Sequence, residues 1–130
     1  MVLVDTSIWI DFLQHPRSSS ADRLEGLIKD NNRAVLCGLV IQEVLQGIRD
    51  RGSHAATKAL LIKFPYLDMD KDVYLEAASL YRDLRAKGTT IPSSDAAIAA
   101  LALHHRLPLF SRDEHFRVIA DHNRNLELYS

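Results

Sequence analysis

A single cysteine stands among the 130 residues, so no internal disulfide can form. That residue, Cys37, lies in the apolar run Ala34-Val35-Leu36-Cys37, where a free thiol reads as a small hydrophobe and suits a reducing compartment. Positive charge is not in excess either. Sixteen Lys and Arg stand against 17 Asp and Glu, a formal net charge of −1, so the basic surplus that usually marks a phosphate-binding protein is missing. Carboxylates gathered around a divalent cation would reconcile that sum with an anionic ligand, because the ion makes the site far less negative than its formal count. No apolar stretch approaches the roughly 20 residues that a membrane-spanning helix needs, which excludes that class. The chain opens directly into Met1-Val2-Leu3-Val4-Asp5 with no basic leader, and we expect a cytosolic protein. The histidines and the cysteine lack zinc-ligand spacing.

What is present is an ordinary folding composition, 47% hydrophobic and 25% charged, at a length suited to one domain over residues 1–130. Val2-Leu3-Val4 reads as a buried strand with Asp5 at its end, and Thr6 or Ser7 can cap a helix whose apolar face is Ile8, Trp9, Phe12 and Leu13. A second helix carries Ala21, Leu24, Leu27 and Ile28, followed by a strand at Ala34 to Cys37. Helical spacing resumes from about Leu39, breaks at Gly52-Ser53 and returns from Ala55 to Ile62. Tyr66 to Met69 reads as a short strand. A long helix then carries Val73, Ala77, Leu80, Tyr81 and Leu84 to a stop at Gly88. After the loop Thr89 to Asp95 comes an alanine-rich helix to about His105, a strand at Leu107 to Phe110, a short helix near His115 to Ile119 and a last strand at Leu126 to Tyr129. Strands alternating with helices predict an α/β fold, with a mostly parallel sheet of about five strands and helices on both faces.

In such folds ligands sit beyond the carboxyl ends of the strands, which singles out Asp5 and the segment Ser111 to Asp113. Asp5, Asp95 and Asp113 each also admit a plainer explanation, since each stands where a helix begins and a carboxylate there caps the helix or favours its dipole. Glu43 taken alone looks like a solvated residue, off the Ile41, Leu45, Ile48 stripe. Acids recurring at places that the fold brings to one edge argue for a shared role. Carboxylates a few ångström apart raise each other's pKa, and a hard divalent cation resolves the conflict; Mg2+ prefers oxygen ligands and keeps several waters.

Four segments carry a resemblance across nearly the whole chain. They are Val2-Leu3-Val4-Asp5-Thr6-Ser7-Ile8-Trp9-Ile10-Asp11-Phe12-Leu13, Ile41-Gln42-Glu43-Val44-Leu45-Gln46-Gly47, Ser94-Asp95-Ala96-Ala97-Ile98-Ala99-Ala100 and Phe110-Ser111-Arg112-Asp113-Glu114-His115-Phe116. In this order and spacing they resemble the PIN-domain ribonucleases, in particular VapC-type toxins of bacterial toxin–antitoxin pairs. The resemblance implies a PIN-like three-layer sandwich and an acidic metal pocket of Asp5, Glu43, Asp95 and Asp113. It implies Mg2+ as cofactor, with Mn2+ able to substitute. Thr6 and Ser111 would be hydroxyls that orient the carboxylates or touch the scissile phosphate. Arg112 neighbours a metal ligand and would contact phosphate. Gly47, one turn after Glu43, would admit a neighbouring backbone. Ser111 stands where a threonine is more usual, and no acid is lost, so the resemblance implies an active nuclease.

It further implies an RNA substrate, a homodimer whose apolar contacts could come from the first helices, and a small antitoxin laid across the active-site groove. Two other readings remain open. A phosphotransferase of the haloacid-dehalogenase type also starts with a strand ending in aspartate, but it carries a second aspartate two residues on, where this chain has Ser7. A non-catalytic RNA-binding or protein-interaction module could keep the same fold. Arg82, Arg85 and Lys87 read as a solvated face, Trp9, Phe12 and Leu13 as core or dimer contact, and His104-His105 as a helix end.

Overall fold

The computed structural model describes all 130 residues. In chain order the elements are β1 (Val2–Val4), α1 (Thr6–Gln14), α2 (Ser19–Lys29), β2 (Ala34–Cys37), α3 (Gly38–Gln46) and α4 (Arg51–Leu61), then β3 (Tyr66–Leu67), α5 (Lys71–Ala86), α6 (Ser93–His105), β4 (Leu109–Phe110) and α7 (Glu114–His122). The sheet has the order β3-β2-β1-β4, with every pair parallel. Leu3 is the pivot of the register, opposite Val35 on one side and Leu109 on the other. All residues of β1 and β2 are buried, and because successive strand residues point to opposite faces, both faces of the sheet are covered. The alternating α/β order and the helix-covered parallel sheet agree with the architecture expected from sequence.

The strand count differs. Four strands form instead of about five, and the tail at Leu126 to Tyr129 is reduced to one parallel bridge between Leu128 and Leu109. The reason is the brevity of β4. Leu109 donates to Glu127 O and accepts from Tyr129 N, both at 2.9 Å, but after Phe110 the backbone turns away and offers the tail nothing more. A second difference concerns α4, which begins at Arg51 instead of Ala55. Asp50 caps it by accepting from Ser53 N at 2.7 Å, so Gly52 and Ser53 lie in the first turn, where backbone N–H groups lack helical partners in any case.

One core cluster of 31 buried residues runs through the sheet and α1 to α7. Trp9 is fully buried, edge-on to Phe64 at 4.9 Å and to Phe12 at 6.1 Å between ring centroids. The first helices therefore show no large exposed apolar side chain for a dimer; such residues are Met1, Ile62, Tyr66, Tyr74, Leu75 and Val118. Helix α6 is buried from Asp95 through Ala102 without a break, and its alanines let α5 pack closely along it. Helix α5 ends with Gly88 N donating to Arg85 O and Thr89 N to Leu84 O; Gly88 has φ +85, a backbone state open to glycine at no steric cost.

Replacing Leu3 by Ala at the centre of this register is expected to cost about 2–5 kcal/mol, and Gly88→Ala about 1 kcal/mol. Urea unfolding followed by circular dichroism reads both as shifts in midpoint at unchanged slope.

Candidate functional site

The ladder of β1 runs on into Asp5, whose N–H donates to Phe110 O at 2.9 Å, and there the chain turns directly into α1. Asp5 itself caps that helix, where the sequence pointed to Thr6 or Ser7. The residue is 4% exposed, and one carboxylate oxygen carries all its side-chain hydrogen bonds: Oδ2 accepts from Ser7 N (3.3 Å), Ser7 Oγ (2.9 Å) and Ser111 Oγ (2.7 Å). Oδ1 accepts none. Each serine hydroxyl has one hydrogen, and both are committed to Asp5. Their lone pairs are used too, since Ser7 Oγ accepts from Arg112 N at 3.2 Å and Ser111 Oγ from Asp113 N at 3.0 Å. The 3.2 Å between the two hydroxyls is thus a consequence of shared partners.

Two more acids arrive on helix starts. Asp113 caps α7, with Oδ1 accepting from His115 N at 3.0 Å. Asp95 lies in the first turn of α6, 7% exposed, with Oδ2 at 2.9 Å from His115 Nδ1; the same nitrogen is 3.0 Å from Asp113 Oδ1. Donor atoms of Asp95, Asp113 and His115 all lie within 4.8 Å of one another. Burial pushes the Asp95 carboxyl up to about 6, and the negative charges of Asp113 and Asp5 add to it, against the opposing hydrogen bond from His115. Asp5, Asp95 and Asp113 thus share one electrostatic neighbourhood.

Glu43 stands beside this group. Thr6 Oγ1 donates to its Oε1 at 2.9 Å, tying α3 to the start of α1, and the carboxylates of Asp5 and Glu43 both act on Cys37. Burial is the main reason that the Cys37 thiol titrates above its usual range, which leaves it an uncharged core group. Gly47 has no neighbouring backbone against it: a side chain there would meet only Glu43 O and Val44 O of its own helix at 3.7 Å. The close approach expected at Gly47 is absent because the residue sits at the exposed end of α3.

Arg112 is paired where the sequence offered no partner. Its Nε donates to Asp11 Oδ2 at 2.6 Å, and Asp11 is almost fully buried while Arg112 is 59% exposed. Asp11, Ser7 and His115 are the residues that sequence reasoning passed over. The signals were slight: an acid inside the apolar run Ile10 to Leu13, a hydroxyl two residues after Asp5, and an imidazole two residues after Asp113. A cavity of about 940 Å3 lies elsewhere, between α5 and the far end of α6 near His104 and His122. His104 lies nine positions along the helix from Asp95, about 13 Å at 1.5 Å per residue, so this cavity is not part of the acid site.

Known proteins align with this arrangement. The PIN domain family model matches residues 2–122. Ribonuclease VapC11 of Mycobacterium tuberculosis is 33% identical over 123 residues, 92% of each chain. Among solved structures, VapBC2 from Rickettsia felis bound to a promoter DNA fragment matches with TM-score 0.79 at 21% identity, over 99% of this chain and 98% of that one. FitAcB from Neisseria gonorrhoeae gives TM-score 0.79 at 20% identity, over 100% and 97%. These two speak for the fold alone.

The raised Asp95 carboxyl has a consequence for stability. Folded Asp95 keeps its proton to about pH 6, whereas unfolded it loses the proton near 3.8, so this group's contribution to stability falls as pH rises through that window. In chelator, Asp95→Asn is expected to remove that fall, gaining on wild type by at most about 3 kcal/mol at pH 7.5 and by nothing near pH 3.5. Thermal melts across this range check it. Taking the family model over nearly the whole length together with the 33% identity, the chain belongs to the PIN-domain family, among its VapC-type ribonucleases.

Proposed function

We propose that the chain is a metal-dependent endoribonuclease, the toxin half of a toxin–antitoxin pair, acting as one domain in the cytoplasm with Mg2+ or, in its place, Mn2+. One observation carries the reading: Asp95, Asp113 and His115 bring donor atoms within 4.8 Å of one another beyond the carboxyl end of β4, and Asp5, at the end of β1 and close enough to act on Asp95, has an Oδ1 with no hydrogen-bond partner in the protein. A carboxylate oxygen with no protein partner is open to a ligand, and acids that act on one another's charge resist full ionisation. An oxygen-binding divalent cation answers both, so the donor set fits the group. Asp5, Asp95 and Asp113 would hold it, with Glu43 at the margin. A bound ion of this kind supplies a hydroxide nucleophile near neutral pH and stabilises charge on the phosphate.

The protein's own groups have distinct tasks. Ser7 and Ser111 hold Oδ2 of Asp5 and leave Oδ1 free, the oxygen that would be available to an ion, and Thr6 orients Glu43. Ser7 thereby occupies with a hydroxyl the position where a phosphotransferase of the haloacid-dehalogenase type would need its second aspartate. Arg112, held by Asp11 at the rim, would meet an RNA phosphate. The relatives named as ribonucleases support an RNA substrate, and solved neighbours titled as toxin–antitoxin complexes support an antitoxin partner. A homodimer would bury the exposed Tyr74 and the apolar groove of about 510 Å3 that Leu39, Ala77, Tyr81 and Ala97 line beside it. No helix is long and apolar enough to cross a membrane.

Total cellular RNA incubated with Mg2+ or Mn2+ should yield discrete products with 5′-phosphate and 3′-hydroxyl ends. Chelator should stop cleavage, and Asp5→Asn should slow it by about a hundredfold or more, on the scale of losing one group that stabilises reacting charge. Products ending in 2′,3′-cyclic phosphate would rule the mechanism out, because they arise from attack by the ribose hydroxyl. In the Asp5→Asn background, adding Arg112→Ala should weaken RNA binding and lower the slope of log K against log salt by about 1. Filter binding over a salt series reads that slope.

A further inference from the structure

We infer that His115 is a nitrogen ligand of the catalytic cation, and that it makes the centre a mixed oxygen–nitrogen site selecting Mn2+ over Mg2+. The inference rests on the cation reading given above. His115 Nδ1 lies 2.9 Å from Asp95 Oδ2 and 3.0 Å from Asp113 Oδ1. Neighbouring corners of an octahedron with bonds of about 2.1 Å are about 3 Å apart, so two edges of a metal polyhedron are already set. The nitrogen hydrogen-bonds to Asp95 and lies within the same distance of Asp113, so all three donors face one small volume. Exchange of that hydrogen for a metal ion leaves the three donors in place.

The imidazole is built into position. Its backbone N–H donates to Asp113 Oδ1 in the first turn of α7, and the next residue, Phe116, is buried in the core. The side chain is nonetheless 45% exposed, open to an ion arriving from water, and no protein hydrogen bond holds Nε2. Mg2+ prefers an all-oxygen shell and releases water reluctantly, whereas imidazole is a good ligand for first-row transition metals. A histidine among the acids therefore favours Mn2+.

The test uses the full chain loaded with Mn2+ and examined by electron spin echo envelope modulation. A 14N coupling in wild type that is absent from His115→Ala is the expected result. Calorimetric titration should show Mn2+ binding weakened by about tenfold or more in His115→Ala, with Mg2+ binding changed far less. His115→Gln, which keeps a hydrogen-bonding side chain, should lose the coupling as well, and melting curves confirm that each variant is folded. Mn2+ bound without 14N coupling, or equal losses for both ions, overturns the inference while leaving the cation reading intact. If wild type binds no Mn2+, or binds it as well after Asp95→Asn, the cation reading falls and this inference with it.

Discussion

Every feature of the site answers to one constraint, an aspartate almost sealed from water at the end of the central strand. Burying the charge of Asp5 is tolerable because a backbone N–H and two serine hydroxyls converge on a single oxygen. Those serines come from opposite ends of the chain, Ser7 from the start of α1 and Ser111 from the turn after β4. The carboxylate therefore staples the first strand crossing to the last. The same hydroxyls accept the N–H groups of Arg112 and Asp113, so the turn that presents the third acid is shaped by the needs of the first.

The fold was readable largely because its parallel strands are short, wholly apolar and followed by recognisable helix starts. Val2-Leu3-Val4 and Ala34 to Cys37 could hardly be anything but buried strands. Readings went astray where tertiary partners decide the outcome. The tail around Leu128 has strand-like residues, yet its pairing is limited by a partner two residues long. Gly52 and Ser53 looked like a break, but Asp50 reaches over them as a cap.

For the site, position at strand ends and helix starts picked out Asp5, Asp95 and Asp113 as a group. It could not reveal that a capping role and a shared charge environment coexist in the same residues. Asp5 and Asp113 are caps, and Asp95 sits in a first turn, so the plain structural explanation of each is true and incomplete. Asp11 and His115 were beyond reach of pattern alone, because what matters about them is contact with residues 101 and 20 positions away. The pairing of Arg112 with Asp11 also explains how a chain with no basic excess can present a cation at the rim. The guanidinium is held over a buried acid, where it is oriented and close to the acids without adding to net charge.

Helix α6 bears on how the molecule can change over time. With eight successive residues buried from Asp95 to Ala102, it has no face turned to solvent along that stretch. Side chains larger than alanine have nowhere to go at most of these positions, so the platform beneath Asp95 is a rigid inheritance. Change in what this chain recognises is then open at the rim, in the exposed residues that follow β4 and those along the outer helices, while the floor stays as it is.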